Sequence, residues 1–502
     1  MSAQSYSAVL SSSVHSEAAR HLLRADRQED LCFALWYPSQ GRSRTSALVS
    51  NLILPRDDDR LIHGNASFFP QYFERALHDA GLAGAGLALL HSHPGGRGWQ
   101  GMSDDDVRAE QQHAAAVRAA TSLPFLGLTI AGDHSWSARL WEKSKPRTYE
   151  RRDCTHVRVI GEQLLCSFND ALTPRPQFRK HLERTLSAWG QATQADLARL
   201  HVGVVGAGSV GALIAEALVR IGIGRVTLID FDGVEVVNLD RLLHATEADV
   251  GRAKVEVLAA ALRRGATAKV FAVNPIEYSI GEEEGFRAAL DCDVLFSCVD
   301  RPWGRSVLNF IAYAHLIPVV DGGIAVKVTR QKRLRRADWR AHVAAPSRRC
   351  LACLEQYDPA LVAAEREGHF DDPRYIEALP DDHPVRSNEN VFAFSMATAS
   401  LQVLQALSMI VAPLGISNPG EQMYHFTTGR LDVMAPRTCD ATCSYPSLIG
   451  RGDRTGLVVT GVHRRAEEAR ERRLTRQRSD AGLTGFFRRI SRRRSRESRP
   501  SA

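Results

Sequence analysis

His201-Val-Gly-Val-Val205 runs straight into Gly206-Ala-Gly208-Ser-Val-Gly211 and on into the amphipathic stretch Ala212 to Ile221. An apolar run, a glycine turn and a helix-period pattern predict a buried parallel strand that turns sharply into a helix. In such a fingerprint the glycines let the backbone close around phosphate oxygens, and the amides at the helix start point at the anion. Val226-Thr-Leu-Ile-Asp230 supplies the next strand. It ends in an acid about twenty residues after the glycines, where a ribose hydroxyl would sit. The fold class is therefore α/β, but the glycine pattern alone does not separate a dehydrogenase from a nucleotidyltransferase.

The polar residues further along separate them. Hydride transfer needs an apolar nicotinamide pocket, whereas splitting a triphosphate needs cations and a magnesium carboxylate. Asp230-Phe-Asp232 is followed by Asn238-Leu-Asp-Arg241, by Lys254, and by Asp300 after the strand Val294-Leu-Phe-Ser-Cys-Val299. Taken in order, these residues resemble the adenylation domain of the ThiF and ubiquitin-activating-enzyme superfamily, from about Phe178 to Arg451. The resemblance implies a Rossmann-like domain that binds ATP through Gly206, Gly208, Gly211, Asp230, Asp232 and Asn238. It further implies that Arg241 and Lys254 neutralise the triphosphate and that Asp300 binds magnesium. Arg184 is similar to the arginine that reaches into a partner subunit's site in this superfamily, with Arg-Thr here where Arg-Gln is usual. A homodimer is implied with it.

A second chemistry precedes the first. Gly86-Leu-Ala-Leu-Leu90 reads as a buried strand leading into His91-Ser-His93-Pro94, and alternation points both imidazoles to one side. A catalytic zinc takes three protein ligands and leaves one position to water, and Asp106 of Ser103-Asp-Asp-Asp106 would complete the set from the following helix. Hydrolysis also needs a proton acceptor, for which Glu29, opening Glu29-Asp-Leu-Cys-Phe-Ala-Leu-Trp36, is the candidate. These residues resemble the JAMM/MPN metalloprotease motif. The resemblance implies that Glu29 is the general acid/base, that His91, His93 and Asp106 bind zinc, and that Ser103 stabilises the tetrahedral oxyanion.

Nine cysteines are too few and too irregularly spaced for a disulfide framework in 502 residues. Four of them pair as Cys350-x-x-Cys353 and Cys439-x-x-x-Cys443, which reads as a structural tetrathiolate zinc clip. The clip leaves no obvious thiol for thioester chemistry; Cys298, beside Asp300, is expected to be structural. Unpaired thiols suit a reducing cytoplasm. The formal net charge of +7 is not a nucleic-acid signal, because residues 463–502 hold fourteen arginines against five acids and leave the remainder near −2. That tail is expected to be disordered, with Leu483 to Ile490 a possible amphipathic patch. The apolar stretch Ala399 to Ile416, interrupted by Gln402, Gln405, Ser408 and Pro413, is expected to be a core helix and not a membrane span.

The expected organisation is a JAMM/MPN domain over 1–150, a ThiF-type adenylyltransferase over 170–455 and an Arg-rich tail over 463–502, with polar Glu142 to Asp153 as the boundary. A polar insertion, Arg330 to Asn388, would cross over the adenylating site. Both activities converge on one object, the glycine-terminated tail of a ubiquitin-like protein, which one half would adenylate and the other would trim or release. A conjugating enzyme is an expected further partner. Sulfur-carrier activation for cofactor biosynthesis, or a non-catalytic partner-binding scaffold, are the alternatives.

Overall fold

The computed structural model describes residues 4–380, 389–476 and 478. The N-terminal unit comprises β1 (Ser5–Ser11), α1 (Ser12–Leu22), β2 (Leu31–Gln40), β3 (Arg44–Ile53), β4 (Arg60–His63), β5 (Asn65–Phe68), α2 (Pro70–Ala83) and β6 (Gly86–His93). It continues through α3 (Asp104–Thr121), β7 (Phe125–Ala131), β8 (Trp136–Lys145), β9 (Thr148–Asp153), β10 (His156–Ile160) and β11 (Leu164–Phe168). Nine of these strands form one mixed sheet in the order β11-β10-β1-β3-β2-β6-β7-β8-β9. The polar stretch expected to be a linker is instead the β8–β9 hairpin, and the sheet runs on to Phe168. The outer strand of that hairpin is largely exposed, so its polar composition resembles that of a linker.

β6 lies inside this sheet, antiparallel to β2 and parallel to β7. Its residues alternate between two cores. Leu87 and Leu89 pack with Phe33, Tyr72, Phe73, Ala114 and Val117 beneath α2 and α3, while Ala88 and Leu90 pack with Trp36, Leu126, Leu128 and Trp136 on the other face. Continuing the alternation puts His91 and His93 on the face that α3 covers.

The C-terminal unit comprises α4 (Glu183–Arg199), β12 (His201–Val205), α5 (Ser209–Ile221), β13 (Arg225–Ile229), α6 (Lys254–Gly265), β14 (Ala272–Ile276), α7 (Glu283–Ala289) and β15 (Val294–Ser297). It continues with α8 (Pro302–Ala314), β16 (Val319–Val328), β17 (Leu334–Ala344), α9 (Pro359–Arg366), α10 (Pro373–Ala378), α11 (Phe392–Val411), β18 (Glu421–His425) and β19 (Arg430–Met434). The sheet order is β14-β13-β12-β15-β16-β17-β18-β19, parallel from β14 to β16 and antiparallel beyond. The order reverses direction between β12 and β15. In open α/β sheets that reversal leaves a crevice at the carboxyl ends of the strands, where ligands bind.

α11 is long and apolar enough, by length and composition, to cross a membrane, yet half of its apolar window is buried in the fold. Gln402 donates to the Ser297 and Val320 carbonyls and Gln405 to that of Gly420, so the polar interruptions tie the helix to the sheet. The part of the expected insertion that is described holds β17, which pairs back onto β16, together with α9 and α10; residues 381–388 lie outside the described residues.

The two units meet through buried polar contacts. Asp293, ahead of β15, accepts from Arg44 at 2.6 Å and faces His156 at 3.1 Å and Arg158 at 3.5 Å, all from the first sheet. It also accepts the His201 amide. Asp291 receives the Ser43 and Arg44 amides, and Ser39 bonds His315.

The expected disorder of 463–502 does not hold throughout. Residues 464–476 form a helix docked on the C-terminal unit. Its arginines find acids: Arg470 pairs with Glu282 and Arg473 with Glu277, while Ala466 is fully buried. Composition counted those arginines as solvated because the acids that meet them lie about two hundred residues upstream. The Leu483 to Ile490 patch lies outside the described residues.

Candidate functional site

The first candidate site stands at the end of β6. His91 Nε2 lies 3.8 Å from Asp106 Oδ1 and His93 Nε2 lies 3.7 Å from Asp106 Oδ2, with the two rings 5.1 Å apart. One ligand atom from each of the three residues falls within 4.8 Å of the others, a spacing that a single ion can bridge. Burial, and then the Arg139 guanidinium, push His91 down to about 3, so its ring is neutral and able to ligate. Burial works against the Asp106 carboxylate, but His93, His91 and Ser103 outweigh it and hold the group well below the usual carboxylate range. The donor set fits a divalent metal.

Glu29 sits one residue short of Asp30, which faces Ser92 across the β2–β6 pair: Ser92 N donates to the Asp30 carbonyl. The register carries Glu29 opposite His93. Burial raises its carboxyl above the ordinary value, and His93 and Asp106 both act on it. Ser103 is placed differently from the oxyanion role that the resemblance implies. Its hydroxyl donates to Asp106 Oδ2 at 2.8 Å and accepts from the Asp106 amide, forming a capping box at the start of α3. In this arrangement Ser103 orients Asp106.

Residues not singled out in the sequence stand behind the cluster. Thr129 Oγ1 is 3.3 Å from His91 Nε2 and accepts from Arg139, whose guanidinium pairs with buried Glu110. Asp30 is buried among Arg60, Arg24 and His21. The available signal was a charge inside an apolar strand, as at Arg139 in β8.

The second candidate site lies at the strand-order reversal. Gly206 has φ 96°, and a methyl group there would run into the Cys298 carbonyl. A methyl at Gly211 would overlap the Gly206 carbonyl, whereas Gly208 faces open space. Asp230 accepts the Ala207 amide at 2.6 Å and the Asp232 amide at 2.7 Å, tying the glycine turn to the end of β13. Burial and then the Asp232 charge raise its carboxyl above the ordinary value. Lys254, at the start of α6, reaches Asp232 at 3.0 Å. Burial opposes its charge, but Asp230, Asp232 and Asp300 together raise it.

The structure thus gathers Asp230, Asp232 and Lys254 beside the turn, with exposed Asp300 within their electrostatic reach. It does not bring Arg241 and Asn238 to the turn in the same way. Arg241 donates to the Val237 carbonyl and to Asp240, and Asn238 caps its own short 3-10 turn. Arg184 is exposed on α4 and has no ion pair among the described residues. Asp321, fully buried between Arg305 and Arg340, is a charged cluster at the same sheet edge that the motifs did not flag.

The four cysteines close on one another beyond α8. One Sγ from each of Cys350, Cys353, Cys439 and Cys443 lies within 4.8 Å of the rest. The Cys350 and Tyr313 hydrogen bonds bring Cys439 down to about 5. Four soft sulfur ligands at this spacing fit a structural zinc. Burial raises the Cys298 thiol, which makes it a poor nucleophile.

A Gly-rich strand-turn-helix at the switch point of a parallel sheet defines the C-terminal unit as a Rossmann-like α/β domain. Residues 181–444, more than half of the chain, match the ThiF family, and the chain belongs to that family. Among curated relatives, tRNA threonylcarbamoyladenosine dehydratase of Escherichia coli is 44% identical over 87 residues, 17% of this chain and 32% of the relative. Molybdopterin-synthase adenylyltransferase of the same organism is 32% identical over 119 residues, 24% of this chain and 47% of the relative. The chain spans less than half the length of either. A crystal structure of E. coli MccB with ATP aligns at 17% identity and a TM-score of 0.41, covering 53% of this chain and 74% of that one.

Proposed function

We propose that the chain adenylates the C-terminal glycine of a ubiquitin-like protein and, at a separate centre, cleaves the amide that follows that glycine. The observation that carries this reading is the presence in one chain of two distinct constellations, His91, His93 and Asp106 in the first sheet and Asp230, Asp232 and Lys254 at the glycine turn of the second. In the adenylating half the terminal carboxylate attacks the α-phosphate of ATP, and the bond to pyrophosphate breaks. The amides at the start of α5 face the phosphates, Asp230 faces the ribose, and Lys254 offsets the charge that develops. Asp300 would hold magnesium, which shields the triphosphate. Arg184, exposed on α4, is available to a second copy of the chain, as the expected homodimer requires.

In the peptidase half His91, His93 and Asp106 would hold zinc, which supplies Lewis acidity when bound. Glu29, with its raised carboxyl, takes the proton of the attacking water and returns it to the leaving amine. Cys350, Cys353, Cys439 and Cys443 would hold a second, structural zinc.

A second reading, activation of a sulfur carrier, is favoured by the likeness to molybdopterin-synthase adenylyltransferase. It uses the same adenylate and differs in the acceptor. The test is ATP–pyrophosphate exchange stimulated by a small protein ending in Gly-Gly, expected in the native chain and absent in Asp300→Ala. Exchange that survives Asp300→Ala removes the magnesium assignment.

A further inference from the structure

The ThiF match ends at residue 444, and the chain beyond it returns to the nucleotide edge of the sheet. Val459 accepts from the Trp303 indole at 3.0 Å, and the Gly461 amide donates to the Gly281 carbonyl. His463, 8% exposed, packs between Trp303 and Phe231. Its ring stacks on Trp303 at 5.4 Å with a 7° tilt and lies 4.6 Å from Phe231. Phe231 separates Asp230 from Asp232, and Trp303 follows Asp300 by one turn's entry into α8.

The helix that follows adds a charged clamp. Arg470 donates to Glu282 at 2.6 Å and 3.0 Å and lies over the Tyr278 ring. Arg473 bonds Glu277 through Nε and the Phe231 carbonyl through its terminal nitrogen, both at 2.5 Å. A guanidinium can serve two acceptors in one plane, which a single ammonium cannot do in the same geometry. The arm therefore grips the strand ends of β13 and β14 and the start of α8, beside the carboxylates and not upon them.

We propose that this C-terminal arm, residues 459–476, is a positioning element of the nucleotide site, in which Arg473 and His463 hold the Asp230-Phe231-Asp232 turn in its ATP-binding form. The proposal rests on the nucleotide site described under the proposed function. Arg473 is a positioning residue. It acts through the Phe231 carbonyl and touches neither carboxylate of the turn. The arm lies outside the residues that match the family.

The test measures ATP affinity by calorimetry and the KM and kcat of pyrophosphate exchange on the full chain. Arg473→Ala should weaken ATP binding and raise KM about tenfold, the factor that one lost charge-assisted hydrogen bond is worth, with kcat nearly unchanged. Arg473→Lys keeps the charge and one bond and should show an intermediate loss. It stands in if Arg473→Ala does not fold. Arg472→Ala removes the same charge from the same helix, but among the described residues Arg472 pairs only with Glu468 of that helix, so affinity should not move.

Affinity of both Arg473 variants within about twofold of the native chain overturns the proposal. So does an equal loss in Arg472→Ala, or a fall in kcat with KM unchanged. A native chain that binds no ATP overturns the proposal together with the reading it rests on, whereas native binding with unaffected Arg473 variants overturns the proposal alone.

Discussion

Replacing Asp293 with Asn should destabilise the whole chain, because one carboxylate serves groups from both halves. Arg44, His156 and Arg158 come from the first sheet, while Asp293 and the His201 amide belong to the second. All four side chains are buried. Asn keeps the shape and one acceptor but leaves two guanidinium groups in a low-dielectric interior without their counter-charge. Removing one partner of a buried ion pair costs about 3 to 5 kcal/mol. Burial opposes the Asp293 charge, but Arg44 and His156 hold its carboxyl well below the usual range. A group depressed in the folded state contributes stability that is present above its unfolded value, near pH 4, and is lost as pH falls through the folded value. The deficit of Asp293→Asn should therefore be full at pH 7 and shrink in acid, where the native carboxyl is itself protonated. Guanidinium unfolding followed by tryptophan fluorescence measures it, and the native chain should unfold in one transition while the variant separates into two. A deficit below about 1 kcal/mol at pH 7, the range of an exposed pair, would refute the reasoning, as would two separated transitions in the native chain.

Metal analysis should find two zinc ions per chain, with His91→Ala losing one and Cys350→Ser the other; equal zinc in all three proteins rejects the two-site assignment. Gly211→Ala should abolish ATP binding, because its methyl overlaps the Gly206 carbonyl and forces the turn open. Calorimetry that finds native affinity rejects that role. Glu365 accepts the Trp303 amide at 2.8 Å, and burial raises its carboxyl to about 7. A raised carboxyl contributes stability that is full below its unfolded value and lost as pH rises through the folded one. Between pH 5 and pH 8 the native chain should thus lose stability that Glu365→Gln does not lose, and parallel melting curves across that window would reject the assignment.

The parts of the two sites legible in the sequence are those built from one continuous stretch. His91 and His93 share a face because a strand alternates, and the glycine turn follows β12 because φ 96° at Gly206 and the close approach at Gly211 admit no side chain. The four cysteines also come together as their pairing suggests. What escaped the reading depends on contacts between distant segments. The β8–β9 hairpin resembles a linker because its outer strand faces solvent. Arg470 and Arg473 read as tail charge until Glu282 and Glu277 meet them. Ser103 reads as an oxyanion donor by motif, yet its local geometry is that of a helix cap, which sequence spacing alone does not distinguish. Arg241 reads as a triphosphate ligand by order along the chain, whereas its guanidinium is engaged with its own turn.

The most direct measurement of the account assays exchange and amide cleavage side by side on Glu29→Gln and Lys254→Ala. Glu29→Gln should lose cleavage of a fused Gly-terminated modifier and keep ATP–pyrophosphate exchange, and Lys254→Ala should do the reverse. Loss of both activities in either variant, or cleavage that survives Glu29→Gln, would contradict the claim that this chain carries two independent reaction centres.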